Sequence, residues 1–134
     1  MIDHDALVWA LFTRDTPAGT FISNELNLSA TTPIATPAVI YSLANSGQTQ
    51  NGPGLWTGDL DVQVIGKPDE AWTLASDLYD AMHAWADEQT GIIADVGHVQ
   101  DLDDNTAFSR SSTTQTVGKG VVQYAGSFAV ALRN

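Results

Sequence analysis

The sequence predicts an α+β domain in two layers, with a long amphipathic helix and an N-terminal helix packed on a mostly antiparallel sheet of about four to five strands. The hydrophobic period changes between residues 59 and 90, from alternation at Leu60, Val62 and Val64 to a spacing of three or four residues. Gly66 and Pro68 separate the two patterns. The helical part places its apolar residues on one side: Ala71, Leu74, Ala75, Leu78, Met82 and Trp85. A strand that leads into an amphipathic helix is typical of a helix laid on a sheet.

The C-terminal segment has the clearest strand pattern in the chain. One face carries large apolar residues: Val122, Tyr124, Phe128, Val130 and Leu132. The other face carries small or polar ones: Gln123, Ala125, Ser127, Ala129, Ala131 and Arg133. Small residues on the second face indicate either a closely packed helix or a subunit contact.

The N-terminal third predicts a helix followed by mostly extended chain. Asp3 or Asp5 can cap a first helix that ends by residues 16–19, because an aspartate can accept from the free N–H groups of the first turn. Residues 20–26 predict a short extended segment, and the proline-containing stretch up to Pro37 predicts irregular chain. Residues 38–44 alternate as a strand.

Two polar stretches, residues 45–54 and 103–116, are longer than a tight hairpin connection of about 2–5 residues. Each is either a surface loop or an arm that orders against a partner. Trp56, next to the first stretch, either caps the sheet edge or contacts a partner. The predicted partner contacts are Gln48, Gln50, Asn51, Trp56, Phe108, Arg110 and Lys119.

Beyond the long helix, Gly91 fits the left-handed residue that often ends a helix. Residues 92–99 predict the next strand, and residues 101–105 predict a solvated acidic turn. Residues 108–117 could pair with the last strand, with a turn at residues 118–120. Burial is the default expectation for the helical tryptophans Trp9, Trp72 and Trp85.

Composition predicts one soluble domain over residues 1–134. The chain is 43% apolar, which is enough for one core, and it contains no cysteine. No run of about 18 apolar residues predicts a membrane span, and the first residues lack the basic start of a secretory signal. The net charge is −11 and the five basic residues are scattered. These features argue against tight binding to nucleic acid or to an anionic membrane.

No pattern in the chain predicts catalysis, a cofactor or a metal. His4, His83 and His98 lack partners at metal-binding spacing, and His83 is predicted to be a solvated helix residue. Asp101, Asp103 and Asn105 match the start of a calcium loop, but Thr106 and Ser112 stand where that loop needs glycine and glutamate. The sequence therefore offers no candidate catalytic, cofactor-binding or metal-binding residue.

The order of these elements resembles the tail-terminator family of long-tailed bacteriophages. The resemblance covers residues 37–133 and includes the phrases Pro37-Ala38-Val39-Ile40-Tyr41 and Asp61-Val62-Gln63-Val64-Ile65-Gly66-Lys67. It rests on a pattern of elements and not on a catalytic signature, and it implies that the chain is not an enzyme.

The resemblance implies a virion protein that forms a ring, usually of six copies, at the head-proximal end of the tail tube. Such a ring ends polymerisation of the major tail tube protein and docks to the head-side connector, while double-stranded DNA passes through without specific binding. Other neck or head–tail connector proteins share part of the pattern. A small acidic α/β binding domain and a small α/β enzyme are the alternatives from other classes.

Overall fold

In the part of the chain that the structure describes, two helices lie on one face of a curled six-stranded sheet. The computed structural model describes residues 3–25, 35–49, 52–110 and 120–133, with side chains described outside residues 45–54. The elements in chain order are α1 (His4–Asp15), β1 (Phe21–Asn24), β2 (Ala38–Thr49), β3 (Gly52–Gly66), α2 (Pro68–Asp87), β4 (Ile92–Ile93), β5 (Gly97–Arg110) and β6 (Val122–Arg133). The α+β class predicted from the sequence is confirmed.

The strands follow the spatial order β1-β2-β3-β6-β5-β4. β1 runs parallel to β2, and every other neighbouring pair is antiparallel. The predicted count of four to five strands was therefore too low, and the sheet is mixed. The additional strands are short, since β1 has four residues and β4 has two. Residues 20–26 were predicted only as an extended segment, and residues 92–93 as the start of a longer strand, so neither was counted as a separate strand.

The predicted long connection at residues 45–54 is instead mostly strand. β2 continues to Thr49 and β3 begins at Gly52, and these two residues are paired in the ladder. The register shifts between Ala44 and Gly47 and again between Gln48 and Thr49. Such irregularities interrupt the period-two pattern, and for this reason the predicted strand ended too early, at residue 44.

The predicted strand at residues 92–99 is divided into β4 and the start of β5, with a turn between them in which Asp95 has a φ of 64°. The acidic stretch 101–105, predicted as a turn, lies inside β5. β5 pairs with β6 as far as Arg110, opposite Tyr124. The rest of the predicted partner strand, residues 111–117, and its turn at Gly118 and Lys119 lie outside the described residues.

Both helices begin as the sequence predicts. The Asp3 carboxylate accepts from the Ala6 N–H at 3.0 Å and caps α1. α2 begins at Pro68, whose missing N–H costs nothing at a helix start. Its end differs from the prediction, because Gln89 takes the left-handed conformation with a φ of 55° and Gly91 does not. Gly91 instead permits close contact, since a Cβ there would lie 2.5 Å from the Cβ of Trp85.

The main core lies between the helices and the sheet, where the sequence predicts it. Leu74, Leu78 and Met82 of α2 belong to the same cluster as Val62 of β3 and Phe128 of β6. Within this core the Trp85 indole N–H donates to Asp15 at 2.6 Å. A smaller cluster of Ala38, Ile40 and Ile65 lies on the opposite face of β2 and β3.

The predicted burial of the helical tryptophans is correct for Trp85 alone. Trp85 is 1% exposed, whereas Trp9 is 49% and Trp72 is 58% exposed. Trp9 lies on the side of α1 that faces away from the buried residues Leu7, Val8, Leu11 and Phe12. Trp72 lies on a flank of α2 and partly covers the Tyr124 ring, with ring centres 6.0 Å apart. Dividing a helix only into a core face and a solvent face therefore assigns an apolar residue at its flank incorrectly.

Candidate functional site: the outer face of the sheet and the α2–β5 seam

The sheet presents one face that the helices do not cover. On β6 the side chains of Ala125, Ser127, Ala129 and Ala131 alternate with the buried residues that face the helices. They are half-buried although no helix of the described chain packs on them. We call this side of β3, β5 and β6 the outer face. Its small residues allow a second polypeptide to approach the sheet closely.

Aspartates from both neighbouring strands border the row of small residues. Asp101 and Asp103 of β5 lie opposite Ala131 and Ala129, and Asp59 of β3 lies opposite Ala129 from the other side. Together with Thr57 these residues line a shallow depression of about 370 Å³. The carboxylates give the depression a negative potential, which favours basic partners and repels phosphates.

Hydrogen bonds across the strands fix the polar side chains of the outer face. Asn105 Nδ2 donates to Asp59 Oδ1 at 3.0 Å and lies 3.5 Å from Ser127 Oγ, so it crosses β6 to reach β3. Arg133 Nε donates to Gln100 Oε1 at 2.7 Å at the other end of β6. These contacts hold the outer face in one arrangement before any partner binds.

A second polar cluster joins α2 to β5, and we call it the α2–β5 seam: Tyr79 and His83 of α2 with Asp104 of β5. Asp104 accepts a hydrogen bond from the Tyr79 hydroxyl, and His83 Nε2 lies 2.7 Å from the other carboxylate oxygen. The hydrogen bond from Tyr79 holds the pKa of the Asp104 carboxyl below its usual range, and it raises the pKa of the Tyr79 hydroxyl. His83 is thus a partner of Asp104 and not only a solvated helix residue, because the bent β5 brings Asp104 to the helix flank.

The predicted partner contacts fall in different environments. Trp56 is 3% exposed, and its ring stacks on the ring of His4 with the ring centres 4.5 Å apart. Its side chain is therefore buried, in agreement with the alternative that it caps the sheet edge. Phe108 is half-buried, with its ring 5.5 Å from Phe128, and Arg110 is exposed at the end of β5. The backbone of Gln48 pairs with Trp56, and its side chain lies outside the description. Gln50, Asn51 and Lys119 lie outside the described residues.

The structure adds residues that sequence reasoning did not single out as contacts. Trp72, Tyr79 and His83 follow one flank of α2, and Asp104 meets that flank from β5. The spacing of Tyr79 and His83, four residues apart on a helix, was a usable signal for a shared partner. The position of Asp104 beside them could not be predicted from spacing, because it depends on the irregular register of β5.

In the part of the chain that the structure describes, no group of three or more His, Asp or Glu side chains is arranged to hold a metal ion. No helix there has the length and apolar character needed to span a membrane. The outer face and the α2–β5 seam present carboxylates, aromatic rings and a histidine. A scan against protein-family models and a search of curated proteins found no match to the chain.

Proposed function

We propose that the protein is a structural virion protein that forms a ring at the head-proximal end of a phage tail tube. In this function it ends tube polymerisation and presents a docking surface to the head-side connector. The proposal rests on the resemblance of the element order to tail terminators and on the character of the sheet surface. In this function the chain acts through contacts between folded subunits and carries out no chemical step.

The outer face is the observation that carries this proposal. A row of half-buried small residues on β6, open to solvent beside two long neighbouring strands, is a surface suited to another subunit. The contact would join different surfaces of successive copies, which closes into a ring when the rotation per subunit allows it. The resemblance implies six copies.

The charge of the chain is compatible with a channel for DNA. With −11 per subunit, a ring would repel the phosphate backbone and make few contacts that slow its passage. The same charge opposes association of the copies with each other. We therefore expect ring formation to strengthen with salt, or on a tube end where many contacts form at once.

Electron microscopy of tail tubes tests the proposal. Tubes assembled from the major tail tube protein of the same phage should reach a regulated length with the protein present and should grow without limit in its absence. The variant Ala129→Gln places a larger side chain on the floor of the outer face and should abolish capping with little change in melting temperature. Ala94→Gln, at an exposed turn, is the matched control and should cap normally. Normal capping by Ala129→Gln would exclude the outer face as the subunit contact.

A small acidic binding module is the second candidate, and the aspartates around the outer face favour it. Such a module would bind a basic protein as a monomer or dimer. Light scattering separates the two candidates, because a ring has a mass several times that of the 14.3 kDa chain.

A further inference from the structure

A groove runs between α2 and β5, on the flank of α2 that carries Trp72. Its lining residues are Trp72, Ala75, Ser76, Tyr79, Ala107 and Phe108. The groove encloses about 180 Å³, well below the roughly 300–1,000 Å³ of a pocket for a small molecule. It therefore has room for one large side chain and not for a typical metabolite.

The walls of the α2–β5 groove are fixed by contacts beneath them. The Phe108 ring packs against the buried Phe128 at 5.5 Å, and the Trp72 ring lies 6.0 Å from Tyr124. The Tyr79 hydroxyl is held by Asp104. A preformed aromatic groove loses little conformational entropy when it binds, which is the usual property of an anchor site.

The groove lies beside a strand edge that lacks a partner in the described chain. β4 pairs with β5 only at Gly97 and His98. Between Gln100 and Arg110, the described residues provide no strand on the side of β5 away from β6. An edge of this kind presents backbone N–H and C=O groups to an added strand. The register irregularities between Asp104 and Ser109 bend β5, so the edge fits a short segment and not a long flat strand.

The charges along this edge select the partner. Asp101, Asp103 and Asp104 lie on β5, and the negative charge of Asp80 on α2 also acts on Tyr79. Arg110 stands at the far end of the edge. A segment with lysine or arginine beside its anchor is attracted to these carboxylates, whereas a segment of this chain, which has only five basic residues against sixteen acidic ones, is less suited to them.

We propose that the outer edge of β5 and the α2–β5 groove bind a short extended segment of a partner protein. The segment adds to β5 by backbone hydrogen bonds between Asp104 and Arg110. One large apolar side chain of the segment enters the groove beside Trp72, and basic residues flank that side chain. Main-chain pairing combined with a side-chain pocket is a recurrent mode of peptide recognition. This proposal goes beyond ring formation and does not depend on it.

Fluorescence anisotropy with a labelled heptapeptide, acetyl-Lys-Val-Lys-Phe-Lys-Val-Lys-amide, tests the proposal. The peptide should bind to the full chain, and its affinity should fall as salt is added. Replacing its phenylalanine by alanine should weaken binding about tenfold or more, because the large apolar side chain that the groove buries is then lost. Replacing the lysines by glutamates should abolish binding. Two further peptides each carry N-methyl groups on one of the two alternating sets of backbone amides, and the one whose methylated amides face β5 should not bind, because those groups can no longer donate.

Two protein variants locate the site. Trp72→Ser removes one wall of the groove at an exposed position and should weaken binding about tenfold. Trp9→Ser, at the other exposed tryptophan, is the matched control and should bind as the parent does. Absence of binding at about 1 mM peptide would overturn the proposal, since a dissociation constant of about 1 mM corresponds to a binding free energy of only about 4 kcal/mol. If Trp72→Ser bound the peptide as tightly as the parent does, the groove would be excluded as the anchor site. If both N-methylated peptides bound as tightly as the unmethylated one, strand addition would be excluded.

Discussion

Gly91→Ala should destabilise the fold, although the same substitution often stabilises a protein. Where the native backbone suits alanine, replacing glycine stabilises by about 0.4–1 kcal/mol through the unfolded chain. Gly91 does not have the left-handed φ at which alanine would be strained. The sign of the effect is therefore decided by the space around the new methyl group.

That space is occupied by Trp85. A Cβ at residue 91 would lie 2.5 Å from Trp85 Cβ, 3.0 Å from its Cγ and 3.1 Å from its Cα. These atoms are at the root of the side chain and cannot rotate away. The indole is also held by its hydrogen bond to Asp15 and by its contact with Phe12, whose ring centre lies 5.5 Å away. Relief requires a shift of the backbone, and overpacking of this kind costs about 1–3 kcal/mol.

Urea unfolding followed by far-ultraviolet circular dichroism measures the effect. We expect Gly91→Ala to lower the free energy of unfolding by about 1–3 kcal/mol with an unchanged urea dependence. Gly66→Ala is the matched control, because the nearest atom to its new methyl group is the movable Glu70 carboxylate oxygen at 3.3 Å. The control should leave stability unchanged or raise it by up to about 1 kcal/mol, because its backbone conformation suits alanine and the nearest side chain can move. If Gly91→Ala were as stable as the parent or more stable, the packing of residue 91 against Trp85 described above would be incorrect.

Three further predictions concern the core, the seam and metal binding. Leu78→Ala should lower the free energy of unfolding by about 2–5 kcal/mol in the same titration, because Leu78 is fully buried on α2; a loss under about 0.5 kcal/mol would contradict its place in the core. Asp104→Asn should lower the free energy of unfolding at neutral pH. The difference in this free energy between the variant and the parent should shrink as the pH falls through the depressed pKa of Asp104, because the hydrogen-bonded carboxylate stabilises the fold only while it is ionised. A difference that stays constant down to about pH 2 would show that the charge of Asp104 is not involved. Titration calorimetry with calcium should reveal no site tighter than about millimolar, because the stretch from Asp101 lacks the glycine and glutamate of a calcium loop; a submicromolar affinity would reopen the enzyme alternative.

The regular elements could be predicted from the sequence because each keeps its period for several turns or residues. The faces of α2 and β6 were assigned correctly from the spacing around Leu78 and Phe128. β5 was not recognised as one strand, because its register shifts and its exposed acidic residues hide the alternation. The cluster of Tyr79, His83 and Asp104 depends on that same irregular strand. Residue spacing was therefore enough to predict the core faces of the regular elements, but not the contacts between α2 and β5 beside which the groove lies.

The ring is the central claim, and multi-angle light scattering across salt and protein concentration tests it most directly. We predict a monomer in dilute low-salt buffer, because copies with a charge of −11 repel each other, and a discrete closed multimer as salt screens that charge. The mass of the multimer should stay constant over further increases in protein concentration, as expected for a ring and not for an open polymer. A monomer at every salt and protein concentration, together with tail tubes whose length the protein leaves unregulated, would contradict the proposed function.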